Sequence, residues 1–158
     1  MLSVVLPSRG RPESLEKAVR SLVRGSPVEV MVGLDADDPD LKEAMYRING
    51  LPGVRVIVGD KRPRCQAVLY NELARKSSGH AVVLFCDDYT MDQENWAELV
   101  EHTVACLPYG YGVGYLKDKL YPFFSTFPIL TRKTIALNTD GDFLPSYYPF
   151  LFGDTHWN

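Results

Sequence analysis

The sequence predicts an α/β fold, a mainly parallel central sheet with helices on both faces, in three layers. Three observations carry that prediction. Short apolar runs at residues 2–6, 28–34, 54–58 and 81–85 alternate with stretches whose apolar residues recur at helical spacing. Each run stops at a polar or charged cluster. The run AVVLF then ends in Cys86 and two adjacent carboxylates, Asp87 and Asp88. An unbroken apolar run closed by acid reads as a strand buried on both faces that delivers charge to the carboxyl edge of the sheet. Open α/β sheets bind their ligands at that edge. The competing reading makes the two aspartates a turn that caps a helix starting near Gln93, a position Asp favours.

Taken in order, residues 2–6 form a strand broken by Pro7-Ser8-Arg9-Gly10. Pro12 suits a first helical turn; Leu15, Ala18, Val19, Leu22 and Val23 follow at helical spacing, and Gly25 ends the helix. The strand at 28–34 runs into Asp35, Asp37 and Asp38, and Pro39 precedes a helix carrying Leu41, Ala44, Met45 and Ile48. The strand at 54–58 empties into Gly59-Asp60-Lys61-Arg62-Pro63-Arg64, the most basic loop of the chain. A helix over 65–76 precedes the strand that ends at the acid pair, and another spans 93–106. Beyond Leu107 the chain turns rich in Pro, Gly and aromatics, with strands at 113–116 and 124–131 and a short helix at 132–137. Strands alternating with helices of this length imply right-handed crossovers.

Composition narrows the partners. With 158 residues and 46% hydrophobic content, the chain is sized for one domain with a real core. The pattern divides it into a regular half (1–106) and a more irregular half (107–158). A net charge of −3 and a pI near 5.6 provide no basic footprint for a nucleic-acid backbone. Cys65, Cys86 and Cys106 are odd in number and lack C-x-x-C spacing. They read as reduced thiols of a cytoplasmic protein. No run approaches the roughly 20 apolar residues of a membrane span. The aromatic clusters Tyr121-Pro122-Phe123-Phe124 and Tyr147-Tyr148-Pro149-Phe150 read as core or interface, so a homo-oligomer is open.

The topology brings Pro7-Ser8-Arg9, Asp35, the Lys61 to Arg64 loop and Asp87-Asp88 to one sheet edge. Carboxylates with Arg and Lys at such an edge suit a divalent cation holding a diphosphate. Hard cations take carboxylate and phosphate oxygens together, and guanidinium and ammonium groups cover the remaining charge.

On these residues the chain resembles the GT-A glycosyltransferases, specifically the inverting, nucleotide-sugar-dependent enzymes of family 2. SVVLPSRGRPESLEKAVRSL is similar to that family's first strand, Pro-containing loop and helix. VEVMVGLDADDPD resembles its second strand, and FCDDYTM its Asp-x-Asp motif with only the last two acidic positions kept. RPRCQAVLYNELARKSSGHAVVLFCDD has the family's helix with an Asn, here Asn71, ahead of the metal strand. LTRKTIALNTDGDFLPSYYPFLFGDTH resembles the late segment that carries the base. No one of these motifs is specific; their order is, and the resemblance covers nearly the whole chain.

The resemblance implies a metal-dependent transferase that moves one sugar from a nucleoside-diphosphate sugar donor to a hydroxyl acceptor, with inversion. Residues 1–106 would form the nucleotide-sugar-binding half and 107–158 the acceptor and catalytic-base half. Asp35 would recognise the base, supported by Pro7, Ser8 and Arg9; Lys61, Arg62 and Arg64 would face the phosphates; Asp87 would reach the ribose. Asp88, with His156, would hold Mn²⁺ or Mg²⁺, and Asp154 would be the catalytic base. The departures are Cys86 in place of the first acid, Gly153 in place of a Glu, and an end at Asn158 where family members continue. That end reads as a truncated chain or a minimal enzyme. A non-catalytic nucleotide-sugar-binding domain is the alternative. A sugar-phosphate nucleotidyltransferase ranks lower, because Pro7-Ser8-Arg9-Gly10-Arg11 is a poor match to a Gly-rich phosphate loop.

Overall fold

A computed structural model of the chain describes residues 1–59, 66–117, 126–138 and 141–144, and the backbone alone of Gln66. The elements run β1 (Leu2–Ser8), α1 (Pro12–Val23), β2 (Glu29–Asp35), α2 (Leu41–Ile48), β3 (Val54–Gly59), α3 (Gln66–Lys76), β4 (Ala81–Leu84), α4 (Trp96–Ala105), β5 (Val113–Leu116), β6 (Phe127–Thr131) and α5 (Arg132–Ile135). Among the described residues they build one six-stranded sheet in the order β3-β2-β1-β4-β6-β5. Strands β1 to β4 pair in parallel, whereas β6 enters antiparallel to both β4 and β5. The expected α/β architecture with a mainly parallel sheet is what the chain adopts.

The apolar runs explain the centre. Leu2, Val4, Val5 and Leu6 of β1, Val30 to Val32 of β2 and Ala81 to Val83 of β4 are fully buried, as strands covered on both faces must be. On α1 the buried positions Leu15, Ala18, Val19 and Leu22 form the stripe that the spacing predicts. Helix α3 packs on the opposite side, against β1 and β2. It approaches closely because Gly33 has no side chain: a Cβ there would stand 3.0 Å from a methyl of Leu73.

Several boundaries differ from the sequence reading by a few residues, and four of the differences bear on the site. Strand β1 continues through Pro7 to Ser8. Val5 accepts from the Phe85 N–H on the β4 side, so by the two-residue period of a strand the missing N–H of Pro7 faces that same side, where β4 has already stopped. β4 itself ends at Leu84, and Phe85 leaves the strand while staying buried. Helix α4 starts at Trp96 behind Asn95, so Asp87 and Asp88 do not cap it. The late strand begins at Phe127; residues 124 and 125 lie outside the described residues.

At the amino edge the sequence reading missed a charged hub. Glu29, at the head of an otherwise apolar strand, is buried and accepts from Ser3 Oγ at 2.5 Å, the Ser78 N–H at 2.7 Å and Arg55 at 2.7 Å. Burial pushes its carboxyl up, but the hydrogen bonds from Ser3, Ser78 and Arg55 outweigh it and bring it down to about 2. Nearby, Arg132 donates to the carbonyls of Ala74, Ser77 and Gly79, ending α3 and fixing the entry to β4.

Candidate functional site

The strand order reverses at β1. From β1 the chain moves outward through β2 to β3, then returns to place β4 on the other side of β1. A reversal of this kind leaves a crevice between the two strands at their carboxyl ends, because the crossovers before and after it cover opposite faces. Here β4 pairs with β1 only as far as Val5↔Leu84, while β1 continues to Ser8. The crevice opens at that point.

Ser8 and Asp87 close its floor. Ser8 Oγ donates to Asp87 Oδ2 at 2.6 Å, although the two residues are 79 apart in the chain, and both are buried. The second oxygen, Asp87 Oδ1, accepts from Arg11 Nη1 at 3.2 Å, and that nitrogen stands 3.5 Å from Asp88 Oδ2. Asp87 is thus held from two directions, whereas the Asp88 side chain remains 54% exposed.

The neighbouring wall is built on Asp35, at the end of β2 and almost fully buried. Arg9 Nη1 donates to Asp35 Oδ2 at 3.1 Å and to Asp37 Oδ1 at 2.6 Å. The hydrogen bond to Asp37, then that to Asp35, raises the Arg9 guanidinium above its usual range against some loss to burial, so it stays charged. Asp38 completes the wall by accepting from the backbone N–H groups of Gly10 and Asp40, both at 2.9 Å. The loop after β1 is therefore tied to the loop after β2, with Gly10 in the left-handed region at φ 66°.

Two contacts brace the back of the crevice. Tyr70 on α3 donates its hydroxyl to the Phe85 carbonyl at 3.1 Å, fixing the turn out of β4. Asn71 forms a matched pair with Leu144, donating to its carbonyl at 2.6 Å and accepting from its N–H at 2.7 Å. Arg75 also pairs with Asp142. Residues 141–144, ahead of the late motif, are thereby moored to α3.

Beside Asp88 a cavity of about 650 Å³ opens between α4 and the β5–β6 hairpin. It is lined by Trp96 and Leu99 of α4, Leu116 and Phe127 of the two strands, and Tyr89 and Met91 between β4 and α4. Its surface is mainly aliphatic and aromatic, as small-molecule sites tend to be.

Of the residues singled out in the sequence, Pro7, Ser8, Arg9, Asp35, Asp87 and Asp88 share this edge. Lys61, Arg62, Arg64, Asp154 and His156 lie outside the described residues. Arg11, Asp37 and Asp38 were not given roles beforehand. Arg11 stood in the quoted loop, and a basic residue next to a helix start is ordinarily a solvated one. Among the described residues no group of three or more His, Cys, Asp and Glu side chains gathers as a complete metal site. Asp88 nevertheless fits a shared one. Mg²⁺-type ions are commonly held by one or two carboxylates plus substrate phosphates, and an exposed carboxylate facing a crevice provides the protein's part.

No protein-family model matches the sequence, and no curated protein matches it. Solved structures do. Staphylococcus aureus TarS 1-349 in complex with UDP superposes with a TM-score of 0.73 at 14% identity, over 99% of this chain and 53% of that one. The mannosyltransferase PcManGT from Pyrobaculum calidifontis, with GDP-Man and Mn²⁺, gives 0.70 at 16% identity, over 92% and 47%. Glucosyl-3-phosphoglycerate synthase from Mycobacterium tuberculosis, with UDP, gives 0.60 at 16% identity, over 84% and 57%. The chain spans about half the length of these glycosyltransferases. A sheet of order β3-β2-β1-β4-β6-β5, superposing on them over most of its length, gives this chain the GT-A fold of these structures.

Proposed function

We propose that this chain binds a nucleoside-diphosphate sugar and transfers its sugar to an acceptor hydroxyl with inversion, using Mn²⁺ or Mg²⁺. The observation that carries the reading is the convergence of Ser8, Arg11, Asp87 and Asp88 at the switch point of a GT-A sheet. The UDP and GDP-Man bound in the structural neighbours, and the Mn²⁺ in one of them, support it.

The division of labour is the one the resemblance implies, and charge and burial support it at Asp35, Asp87 and Asp88. On this reading Asp35, buried and bonded by Arg9, would accept from the N–H edge of a base. Asp87, gripped by Ser8, would receive ribose hydroxyls. Lys61, Arg62 and Arg64 offer cations to the phosphates, and Asp88, joined by His156, would hold the metal. When bound, that ion supplies charge stabilisation for the departing diphosphate. Asp154 takes the proton of the acceptor hydroxyl as it attacks from the face opposite the leaving group, and one carboxylate base suffices for inversion. The apolar cavity beside Asp88 is the natural seat for part of the acceptor.

Thermal-shift screening of nucleoside diphosphates and their sugars, with and without Mn²⁺, tests the reading. We expect metal-dependent stabilisation by one base series; no such stabilisation with any nucleotide would overturn it. A second reading, a nucleotide-sugar-binding domain without turnover, is favoured by Cys86 standing where the first acid of the motif belongs. Transfer or donor hydrolysis that disappears in Asp154→Asn while donor binding persists decides for the enzyme.

A further inference from the structure

The acid pair carries a cation of its own. Arg11 Nη1 lies 3.2 Å from Asp87 and 3.5 Å from Asp88. Among the described residues it is the ion-pair partner of Asp88, while Asp87 has a shorter bond from Ser8 at 2.6 Å. The two carboxylates therefore depend on Arg11 unequally. Removing the guanidinium leaves Asp87 still bonded to Ser8 and leaves Asp88 open. The Arg11 and Asp88 side chains are 55% and 54% exposed, so their pairing belongs to the weak, readily exchanged class.

A divalent ion held by Asp88 sits roughly 2.0 to 2.6 Å from one of its carboxylate oxygens, and Arg11 Nη1 already stands 3.5 Å from that carboxylate at Oδ2. Two positive groups on one carboxylate repel at that distance, so the arriving ion favours withdrawal of Arg11. Its planar, always-charged fork then seeks another anion, and a diphosphate at the same edge offers the matching geometry. We propose that Arg11 is a diphosphate-binding residue that screens Asp88 in the empty site, and that by exchanging carboxylate for phosphate it makes metal and diphosphate bind cooperatively. This rests on the donor-site reading above. The coupling is reciprocal: whatever the diphosphate does for the metal, the metal does equally for the diphosphate.

The test is Mn²⁺ titration followed by the electron paramagnetic resonance signal of the free ion, without nucleotide and with UDP or GDP, corrected for the nucleotide's own Mn²⁺ complex. Wild-type protein is compared with R11Q, R11K and a remote charge control, R20Q, whose side chain pairs with Glu16. We expect either nucleotide to tighten Mn²⁺ binding to the wild type. In R11Q, Mn²⁺ alone should bind about two- to fivefold tighter, the range set by an exposed pair, and the enhancement by nucleotide should shrink by at least that factor. R11K should fall between, since an ammonium is a point charge without the fork. R20Q should match the wild type. An R11Q protein with unchanged or weaker Mn²⁺ binding, or an R20Q protein that behaves like R11Q, overturns the proposal. Should R11Q lose its fold by circular dichroism, R11K decides, a wild-type profile counting against. Failure of the wild type to show enhancement with either nucleotide removes the donor-site reading and this proposal with it; enhancement indifferent to Arg11 removes this proposal alone.

Discussion

Asp87 and Asp88 are sequence neighbours with different surroundings, so their substitutions should separate. Asp88→Ala removes an exposed carboxylate and should abolish Mn²⁺-dependent nucleotide binding with a melting temperature near that of the wild type. Asp87→Ala deletes a buried acceptor of Ser8 and should weaken nucleotide binding while also lowering stability. Titrating nucleotide and urea against both variants separates the two effects, and identical behaviour would mean that the pair acts as one metal site. Ser8→Ala removes a hydrogen bond to a charged group, worth about 1.5–3 kcal/mol, and should appear as a lower urea midpoint at unchanged slope. Some of this was legible beforehand: the apolar run ending in acid pointed to the edge, and the Pro-Ser-Arg loop to its other lip. The bond between Ser8 and Asp87 was not. Residues 79 apart are joined by topology, and local pattern is silent about which strand ends become neighbours.

At the scale of elements, the order of strands and helices could be read from hydrophobic period and Gly/Pro punctuation, because both act over a few residues. The antiparallel entry of β6 between β4 and β5 could not, since strands of that length carry no mark of direction. Helix α3 shows how an element acts at a distance, with Asn71 holding both backbone groups of Leu144. Asn71→Ala would strand two buried backbone groups at about 1–3 kcal/mol each. We expect it to speed hydrogen exchange at the Leu144 amide well before the β1 amides. Gly79 marks the opposite end of β4. A Cβ there would stand 2.5 Å from the Ser3 backbone nitrogen and 2.6 Å from Ser3 Oγ, so Gly79→Ala should cost about 1–3 kcal/mol by overpacking, read as a fall in thermal midpoint.

For the whole molecule, Glu29 sets an acid limit. Its folded pKa of about 2 lies below the ordinary 4.5, so the ionised form favours folding. That contribution is complete above about 4.5 and drains away as pH falls toward 2. Its full size is on the order of 3 kcal/mol. Glu29→Gln should be less stable at neutral pH and should lose less on acidification over that window, a comparison that denaturant curves at several pH values will provide. The hub escaped the sequence reading because Glu29 heads an apolar run, and its partners come from the starts of other strands. The contact between Ser8 and Asp87 also has a kinetic meaning. The crevice cannot exist until the fourth strand has docked beside the first, an encounter that closes a long loop and belongs to the slow, non-local class. A nucleotide that needs the finished crevice will find little to bind in the folding transition state. Bound nucleotide should therefore lengthen the native lifetime while leaving the refolding rate nearly unchanged.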